Sequence, residues 1–297
     1  GPSRYVQQRM RWDVWSMKNL IDTMKNDEDF DATYLSLGAG VQSSALLVLS
    51  CTDHRVPKPD IAVFADTGDE PDWVYENLDV LKKWAEPHGV PILVAQSHNG
   101  KLSEYVIEEL KSGSRFNHLP VFTETTHGSS TIGRRQCTSH FKIVPIIKAV
   151  RTHLGYKPRQ RVKERVRCML GISLDEMQRM KENVTQGWIT NCWPLIDLAI
   201  RRKDCYKIIE DAGLPKPKRS SCVYCPFNSD PQWQWLKDEH PREFAKAVEF
   251  DERMRVSGLE VKQYLHKSCV PLRDAVFGGD ENQVDMFNNE CDGICGV

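Results

Sequence analysis

Short apolar runs alternate with amphipathic segments along the first half of the chain. Apolar runs of strand length occupy residues 34–37, 61–65 and 91–95, and residues 73–85 and 102–110 show the apolar spacing of a helix. Strands that alternate with helices are typical of a parallel sheet covered by helices on both faces. The pattern therefore predicts an α/β fold with a doubly wound, Rossmann-like parallel sheet.

The same pattern predicts three parts. Residues 1–30 are expected to form an N-terminal helix, residues 31–212 an α/β domain, and residues 213–297 a small cysteine-bearing C-terminal subdomain with a tail of loop composition. Residues 231–256 within that subdomain are predicted to be mostly helical. Residues 113–135 are rich in Thr, Ser and Gly, and are predicted to form a loop that covers a site.

Composition indicates an ordinary globular protein. The 297 residues carry a net charge of −1, and 40% of them are hydrophobic. No apolar run is long enough to cross a bilayer and no signal peptide is visible, so we expect a cytoplasmic protein without a membrane partner. Ten cysteines are many for that compartment. Because disulfides are disfavoured there, metal binding or thiol chemistry is the better explanation for some of them.

Three small residues follow the first predicted strand. Gly38, Ala39 and Gly40 lead into a helix that begins near Ser43 and Ser44. Glycines let the backbone approach a ligand closely, and hydroxyls and unpaired N–H groups at a helix start attract anions. This turn predicts a site for phosphate, pyrophosphate or sulfate. The alternative is a glycine-rich turn that binds nothing.

Cysteines form the second candidate site. Cys222 and Cys225 make a C-x-x-C pair followed by Pro, which presents two thiolates from one turn, as zinc or an iron–sulfur cluster requires. Cys137 is the third candidate ligand. Candidates for a fourth ligand are His140, Cys205, Cys291 and Cys295. The alternatives for the C-x-x-C pair are a structural zinc knuckle and a redox dithiol. The cysteines that lie singly in apolar or mixed surroundings are expected to be core residues: Cys51, Cys168, Cys192 and Cys269.

A run of alternating cations precedes the fourth apolar run. If this segment were extended, all of its cations would lie on one face. Such a face could contact successive phosphates of a nucleic acid, or one cation could neutralise a nucleotide. The alternative is a charged edge strand that is protected from aggregation. The cations are Lys157, Arg159, Arg161, Lys163, Arg165 and Arg167.

These motifs resemble the phosphoadenosine phosphosulfate (PAPS) reductase-like branch of the PP-loop superfamily, over roughly residues 34–227. PP-loop ATPases read S-G-G-x-D-S where residues 38–43 read Gly-Ala-Gly-Val-Gln-Ser. Gln42 at the acidic position is more similar to PAPS reductases, which bind a sulfonucleotide without splitting ATP. Asp66-Thr67-Gly68 is similar to the family's D-T-G segment. Cys137, Lys142 and Pro145 resemble its C-C-x-x-x-K-x-x-P segment, with Thr138 in place of the second cysteine.

The resemblance implies a PP-loop nucleotide site and an iron–sulfur centre. The glycine turn would bind the phosphate or sulfate of an adenine nucleotide such as PAPS, adenylyl sulfate (APS) or ATP. The segment of residues 66–68 would border the adenosine, and Lys142 would lie beside the ligand. Cys137, Cys222 and Cys225 would hold a [4Fe–4S] cluster. The residues implied at the nucleotide are Gly38, Ala39, Gly40, Gln42, Ser43, Ser44, Asp66, Thr67, Gly68 and Lys142.

Three functions are compatible with these implications. The first is a sulfonucleotide reductase, in which Cys291 is the nucleophile because Glu290-Cys291 is similar to the family's E-C-G-x-H ending; its electron or sulfur donor protein is not indicated. The second is an ATP-dependent sulfurtransferase that thiolates tRNA or DNA through a three-cysteine cluster. The third is a zinc-stabilised, non-catalytic protein that binds nucleic acid or regulates a partner.

Overall fold

The strands form one parallel sheet and one small antiparallel sheet. The computed structural model describes residues 29–112, 119–124, 130–133, 136–183, 185–256 and 262–278. Within these ranges the strands are β1 (Ala32–Leu37), β2 (Ile61–Asp66), β3 (Ile92–Gln96), β4 (Phe122–Glu124), β5 (Ser130–Ile132), β6 (Val166–Leu170), β7 (Ile189–Cys192) and β8 (Gln263–Tyr264). The large sheet has the order β3-β2-β1-β6-β7, and the small one has the order β5-β4-β8.

Helices connect the strands of the large sheet and form most of the C-terminal part. They are α1 (Val41–Thr52), α2 (Asp72–Ala85), α3 (Leu102–Lys111), α4 (Val144–His153), α5 (Pro194–Asp197), α6 (Arg202–Asp211), α7 (Asp230–Glu239) and α8 (Pro241–Val256). A π-helical turn at Ser139–Ile143 leads into α4, and a 3-10 helix spans Leu174–Arg179. Among the described ranges, no helix has the length and apolar character needed to cross a membrane.

The large sheet confirms the predicted α/β fold. All of its pairings are parallel, and the central strand β1 pairs with β2 on one side and with β6 on the other. The strand order therefore reverses at β1. In open α/β sheets, ligands bind in the crevice beyond the carboxyl ends of the strands at such a reversal. The glycine turn follows β1 directly, so the topology brings it to this crevice.

Alternate residues of the central strands face two different cores. Leu35 and Leu37 of β1 belong to a cluster with residues of α1, α2 and α6. Tyr34 belongs to a second cluster, which includes Ile146 and Val150 of α4. This alternation follows from the period of two along a strand. Because both faces are covered, β2 is buried along its whole length, as expected for a central parallel strand.

A third core lies under the C-terminal helices. It joins Leu102 and Leu110 of α3 to Trp233 of α7 and Phe250 of α8. This core combines residues from both sides of position 213, where the sequence predicts a boundary between the α/β domain and the C-terminal subdomain. That boundary remains a prediction. The predicted N-terminal helix lies outside the described residues, except for positions 29 and 30.

Two local expectations differ from the structure. Residues 113–135 are not a loop throughout, because β4 and β5 form in this stretch, and β4 pairs with the distant β8. The predicted helical stretch at 231–256 is two helices that separate at His240. Proline at the start of α8 explains the break, since it lacks the N–H that a continuous helix would need.

Candidate functional site at the carboxyl edge of the sheet

The glycine turn is buried and held by side chains from three other segments. The N–H of Gly38 donates to Ser43 Oγ at 3.2 Å, and Ser220 Oγ donates to the carbonyl of Gly38. Asn77 Nδ2 donates to the carbonyl of Ala39 at 2.7 Å. Ala39 has a left-handed backbone with φ 55°. The turn therefore has one fixed conformation, in which its carbonyls face protein donors.

The first turn of α1 keeps unpaired donors. The N–H groups of Val41, Gln42 and Ser43 have no acceptor among the described residues, as is usual for the start of a helix. The hydroxyl of Ser44 is fully buried and also lacks a hydrogen-bond partner there. Buried polar groups are normally paired, and N–H groups and hydroxyls at a helix start are suited to binding an oxyanion.

Gly171 permits the end of β6 to pack closely against this turn. A Cβ added to Gly171 would lie 2.7 Å from both the Cα and the backbone nitrogen of Ser43. No real side chain tolerates that distance, so only glycine fits. The requirement fixes how near the segment after β6 comes to α1.

The side chain of Gln42 is fully engaged in hydrogen bonds within the protein. Its Nε2 donates to Ser173 Oγ at 3.0 Å and to Glu176 Oε2 at 2.8 Å, and its Oε1 accepts a hydrogen bond from Arg202 at 3.1 Å. Glu176 also forms an ion pair with Arg179. The structure therefore turns Gln42 towards the 3-10 helix and α6, and it leaves only the backbone of Gln42 for a ligand.

Asp66 shapes the loop after β2. Its carboxylate accepts hydrogen bonds from the N–H of Gly68 at 2.8 Å, the hydroxyl of Tyr75 at 2.7 Å and Gln96 Nε2 at 2.8 Å. Burial, followed by the hydrogen bond to Asp66, raises the pKa of Tyr75, so this hydroxyl remains a donor. Gly68 has a left-handed φ of 79°, and the side chain of Lys101 lies across it. Three protein donors thus occupy the Asp66 carboxylate, which the family resemblance implies to lie near adenosine.

The turn that carries Cys222 and Cys225, here called the cysteine turn (residues 219–225), packs against the same loop. The N–H of Val223 donates to the carbonyl of Asp69 at 3.1 Å, and the hydroxyl of Tyr224 donates to Asp69 Oδ2. Burial, followed by the nearby Cys222 and Asp69, raises the pKa of Tyr224. Trp73 Nε1 donates to the carbonyl of Arg219 at 2.9 Å. The glycine turn, the Asp66 loop and the cysteine turn therefore meet at one edge of the sheet.

A buried ion pair links this loop to the π-helical turn. Lys142 Nζ lies 3.3 Å from Glu70 Oε1, and the two side chains are 7% and 1% exposed. Cys222 Sγ donates to the same Glu70 oxygen at 3.7 Å, and it lies 3.4 Å from Thr67 Oγ1. Lys142 and Thr67 are both expected at the nucleotide. Lys142 reaches Cys222 through Glu70, and Thr67 contacts Cys222 directly.

The described residues give no support to a metal site at the three predicted cluster ligands, Cys137, Cys222 and Cys225. Cys137 and Cys222 both pack against the C-terminal core. Within the described ranges, however, no group of three or more His, Cys, Asp or Glu side chains is arranged to hold a metal ion. The predicted [4Fe–4S] cluster, and zinc as its alternative, therefore remain predictions without support from this geometry.

Of the four cysteines expected to be core residues, Cys168 and Cys192 are buried, and Cys51 and Cys269 are half-buried. Cys168 and Cys192 both lie in strands of the large sheet, and burial raises the pKa of Cys168 to about 12 and also raises that of Cys192. Burial also raises the pKa of Cys51 and of Cys269. Since thiolates are the reactive form, the buried Cys168 and Cys192 are poor nucleophiles and poor ligands, whereas Cys51 and Cys269 are only half-buried.

The alternating cations do not form one extended face. The N–H of Gln160 donates to the carbonyl of Lys157, and Arg159 has a left-handed φ of 66°, so the chain turns there. Arg167 lies inside β6, is buried, and stacks on the ring of Phe30 at 4.5 Å. An extended segment would need β backbone angles throughout, which Arg159 lacks. The contiguous phosphate-contacting face that the alternation predicts is therefore absent from residues 157–167.

Sequence reasoning missed the residues that join the segments. Glu70, Asn77, Ser220 and Asp69 carry the contacts described above, yet none of them belongs to a recognised motif. Only their positions gave a signal, since Glu70 follows the D-T-G segment and Ser220 precedes the C-x-x-C pair. The proposed nucleophile Cys291, and Cys295, lie outside the described residues.

Comparisons with known proteins give a similarity of fold. Among solved structures, the chain is similar to phosphoadenylyl-sulfate (PAPS) reductase from Candida auris in its phosphate complex, with a TM-score of 0.43 and 13% sequence identity. The match covers 75% of this chain and 95% of that chain. No protein-family model matches the chain, and no curated protein gives a significant match.

Proposed function

We propose that this protein binds an adenine nucleotide bearing a sulfate or phosphate at the carboxyl edge of its large sheet, and that it carries out sulfur chemistry of the sulfonucleotide reductase type. The observation that carries the proposal is the first turn of α1. There, the unpaired N–H groups of Val41, Gln42 and Ser43 occur beside the buried, unpartnered hydroxyl of Ser44. A bound oxyanion would supply the missing acceptors.

The neighbouring loop supports adenosine as the rest of the ligand. The Asp66 carboxylate is occupied by protein donors, so its part is to hold the loop in shape. Gly68, with its left-handed backbone, and the aliphatic part of Lys101 lie at the surface of that loop. We assign the adenosine contact to the backbone of residues 66–68, and the anion contact to α1.

Sulfur chemistry is proposed because the motifs resemble those of the PAPS reductase-like family. In this reaction a thiolate, proposed to be Cys291, attacks the sulfate sulfur of the nucleotide. A new S–S bond forms, the S–O bond to the nucleotide phosphate breaks, and the phosphate leaves with the electron pair. A dithiol donor then releases sulfite and becomes a disulfide. The buried arrangement of Gln42, with no carboxylate at that position, agrees with a ligand that is not split as ATP is.

Ser44→Ala tests the anion site directly. Calorimetric titration with adenosine 3′,5′-bisphosphate should show affinity weakened by about tenfold or more, because a hydrogen bond to a charged group is lost. The melting temperature should stay level or rise, since the variant removes an unpaired buried hydroxyl. Ser50→Ala is the matched control in the same helix. It loses the bond from Ser50 Oγ to the carbonyl of Leu47, and it should bind the nucleotide normally.

Product analysis tests the reaction. Sulfite release from PAPS or APS, lost in Cys291→Ser, is the expected result. If the chain instead releases pyrophosphate from ATP only when RNA or DNA is added, the sulfurtransferase replaces the reductase. Wild-type affinity for the nucleotide in Ser44→Ala would contradict the assigned anion site.

A further inference from the structure

A serine, a histidine and an aspartate form a hydrogen-bonded chain beside β8. His266 Nε2 lies 3.1 Å from Asp230 Oδ1, at the start of α7, and His266 Nδ1 lies 2.7 Å from Ser268 Oγ. Lys267 Nζ lies 3.2 Å from the same Asp230 oxygen and balances its charge. His266 and Asp230 are buried, whereas Ser268 is exposed. The chain therefore runs from the interior to the surface, with the hydroxyl at its outer end.

The backbone determines which nitrogen of His266 carries the hydrogen. The N–H of Ser268 points at Nδ1 at 3.3 Å. Because an N–H can only donate, Nδ1 is an acceptor, and the hydrogen of the neutral ring lies on Nε2, where it is donated to Asp230. The hydroxyl of Ser268 then donates its own hydrogen to Nδ1. The hydroxyl proton therefore already faces a base.

The loop after β8 is held in place around this base. Asp251 accepts the N–H of Leu265 at 3.0 Å and that of Leu272 at 2.8 Å. The ring of His266 lies edge-on to the ring of Phe277, with 5.4 Å between the centroids. A hydroxyl that donates to a fixed imidazole, which in turn donates to a carboxylate, has the arrangement that activates serine as a nucleophile.

Apolar side chains belong to the same surface. Val270 follows Ser268 closely in the chain and is 38% exposed, and Val276, which precedes Phe277, is 83% exposed. Exposed apolar side chains beside a reactive group suit an apolar part of a ligand. The surface at Ser268 therefore suits an ester with an apolar acyl chain, in contrast to the anion expected at α1.

We propose that Ser268 is a nucleophile towards acyl esters, with His266 as its base and Asp230 as the residue that positions His266. Ser268 Oγ attacks the ester carbonyl while His266 Nδ1 takes the hydroxyl proton. The bond from the carbonyl carbon to the alcohol oxygen breaks, and the alcohol leaves with that proton. Water then attacks the acyl group and gives a proton to Nδ1, which returns it to Oγ as the acid leaves. One ester and one water give one acid and one alcohol.

A fluorophosphonate probe tests this nucleophile on the full chain without any nucleotide, so its failure is distinct from failure of the proposed function. Ser268 Oγ should displace fluoride from phosphorus, and peptide mass spectrometry should find the adduct on Ser268. Labelling should disappear in Ser268→Ala, and should slow by about tenfold or more in His266→Gln because the base is lost. Release of the alcohol from a chromogenic short-chain ester should show the same dependence.

Ser112 is the matched control within the same chain. It is also exposed, but its hydroxyl donates to the carbonyl of Glu109 at 2.7 Å and has no imidazole as its acceptor. Ser112 should therefore stay unlabelled, and Ser112→Ala should leave both labelling of Ser268 and ester hydrolysis at the parent rate.

Nitrogen NMR of His266 tests the positioning role of Asp230. The parent chain should show the hydrogen on Nε2. Asp230→Ala should let it occupy either nitrogen and should slow labelling of Ser268, whereas a residue that only stabilises the fold would leave this signature unchanged.

Two results would overturn the proposal. One is labelling of Ser268 that is no faster than labelling of Ser112, and the other is a parent spectrum with the hydrogen of His266 on Nδ1. Because Ser268 is at the surface, the comparison of Ser268 with Ser112 decides the question even if Asp230→Ala folds poorly.

Discussion

At the scale of single residues, the carboxyl edge of the large sheet contains a left-handed backbone and a buried hydroxyl without a hydrogen-bond partner among the described residues. Ala39 adopts a left-handed backbone that costs about 1–2 kcal/mol for a residue with a side chain. The bond from Asn77 Nδ2 to its carbonyl helps to hold it there. Ser44 keeps an unpaired buried hydroxyl. Such departures from local preference concentrate where a protein binds or reacts.

Cys168 gives a prediction on pH dependence. Burial raises the pKa of its folded-state thiol to about 12, whereas an unfolded cysteine has a pKa of about 8.5. A raised pKa gives stability that is complete below the unfolded value and is lost as pH rises towards the folded value. The free energy of unfolding should therefore fall above about pH 9, by up to about 1.4 kcal/mol per pH unit from this thiol alone.

Urea unfolding between pH 7 and pH 10.5 measures this effect. Cys168→Ala should be less stable at pH 7, because it leaves a small cavity. Its stability should nevertheless decline less steeply with pH than that of the parent chain. Equal slopes for the two proteins would show that Cys168 does not titrate in this way.

At the scale of elements, the site depends on how closely β6 and α1 approach each other. The segment after β6 passes Ser43 at a distance that only Gly171 permits. The 3-10 helix at Leu174–Arg179 follows shortly after Gly171, and its Glu176 accepts a hydrogen bond from the side chain of Gln42. The start of α1 is thus fixed from the side by a loop that belongs to a neighbouring strand.

Gly171→Ala should disturb this packing. The new Cβ would meet backbone atoms of Ser43 at 2.7 Å, and backbone cannot move aside cheaply. We expect a loss of about 1–3 kcal/mol in the free energy of unfolding, as for other overpacked sites, together with weaker nucleotide binding. Gly187→Ala is the control, because nothing lies within 4 Å of its added Cβ. A stable Gly171→Ala protein with normal affinity would refute the close approach.

The elements differ in how well the sequence predicts them. β1, β2 and β3 are predicted because a buried strand needs an unbroken apolar run. β4 and β5 are not predicted, since three-residue strands carry little pattern and β4 pairs with β8 far along the chain. The glycine turn and the C-x-x-C turn are recognisable from local chemistry. Their joining residues, Glu70 and Ser220, act across long separations that local patterns do not encode.

At the scale of the whole molecule, the sheet and the C-terminal core meet through the loop after β2. Asp69 accepts hydrogen bonds from the N–H of Ser103 at 2.8 Å, from Ser103 Oγ at 2.9 Å and from the hydroxyl of Tyr224. One carboxylate therefore joins α3 and the cysteine turn to the large sheet. A change at this junction should affect both parts of the candidate site.

Tyr224→Phe tests the junction. Loss of one hydrogen bond to a carboxylate should lower the free energy of unfolding by about 1.5–3 kcal/mol. Amide hydrogen exchange should rise in residues 219–225 and 66–70, and should be unchanged in β1. Tyr156→Phe, in the exposed segment after α4, is the comparison and should alter neither region. Unchanged exchange at the cysteine turn would show that Asp69 does not couple the two parts.

The long separation between the paired segments affects how the protein is made. Ser220 lies 182 positions after Gly38, and Cys222 lies 152 positions after Glu70. During synthesis the N-terminal part of the chain leaves the ribosome first. The parallel sheet can therefore form before residues 219–225 are available to cover the carboxyl ends of its strands. Nascent chains that stop before position 219 should be the ones that recruit chaperones.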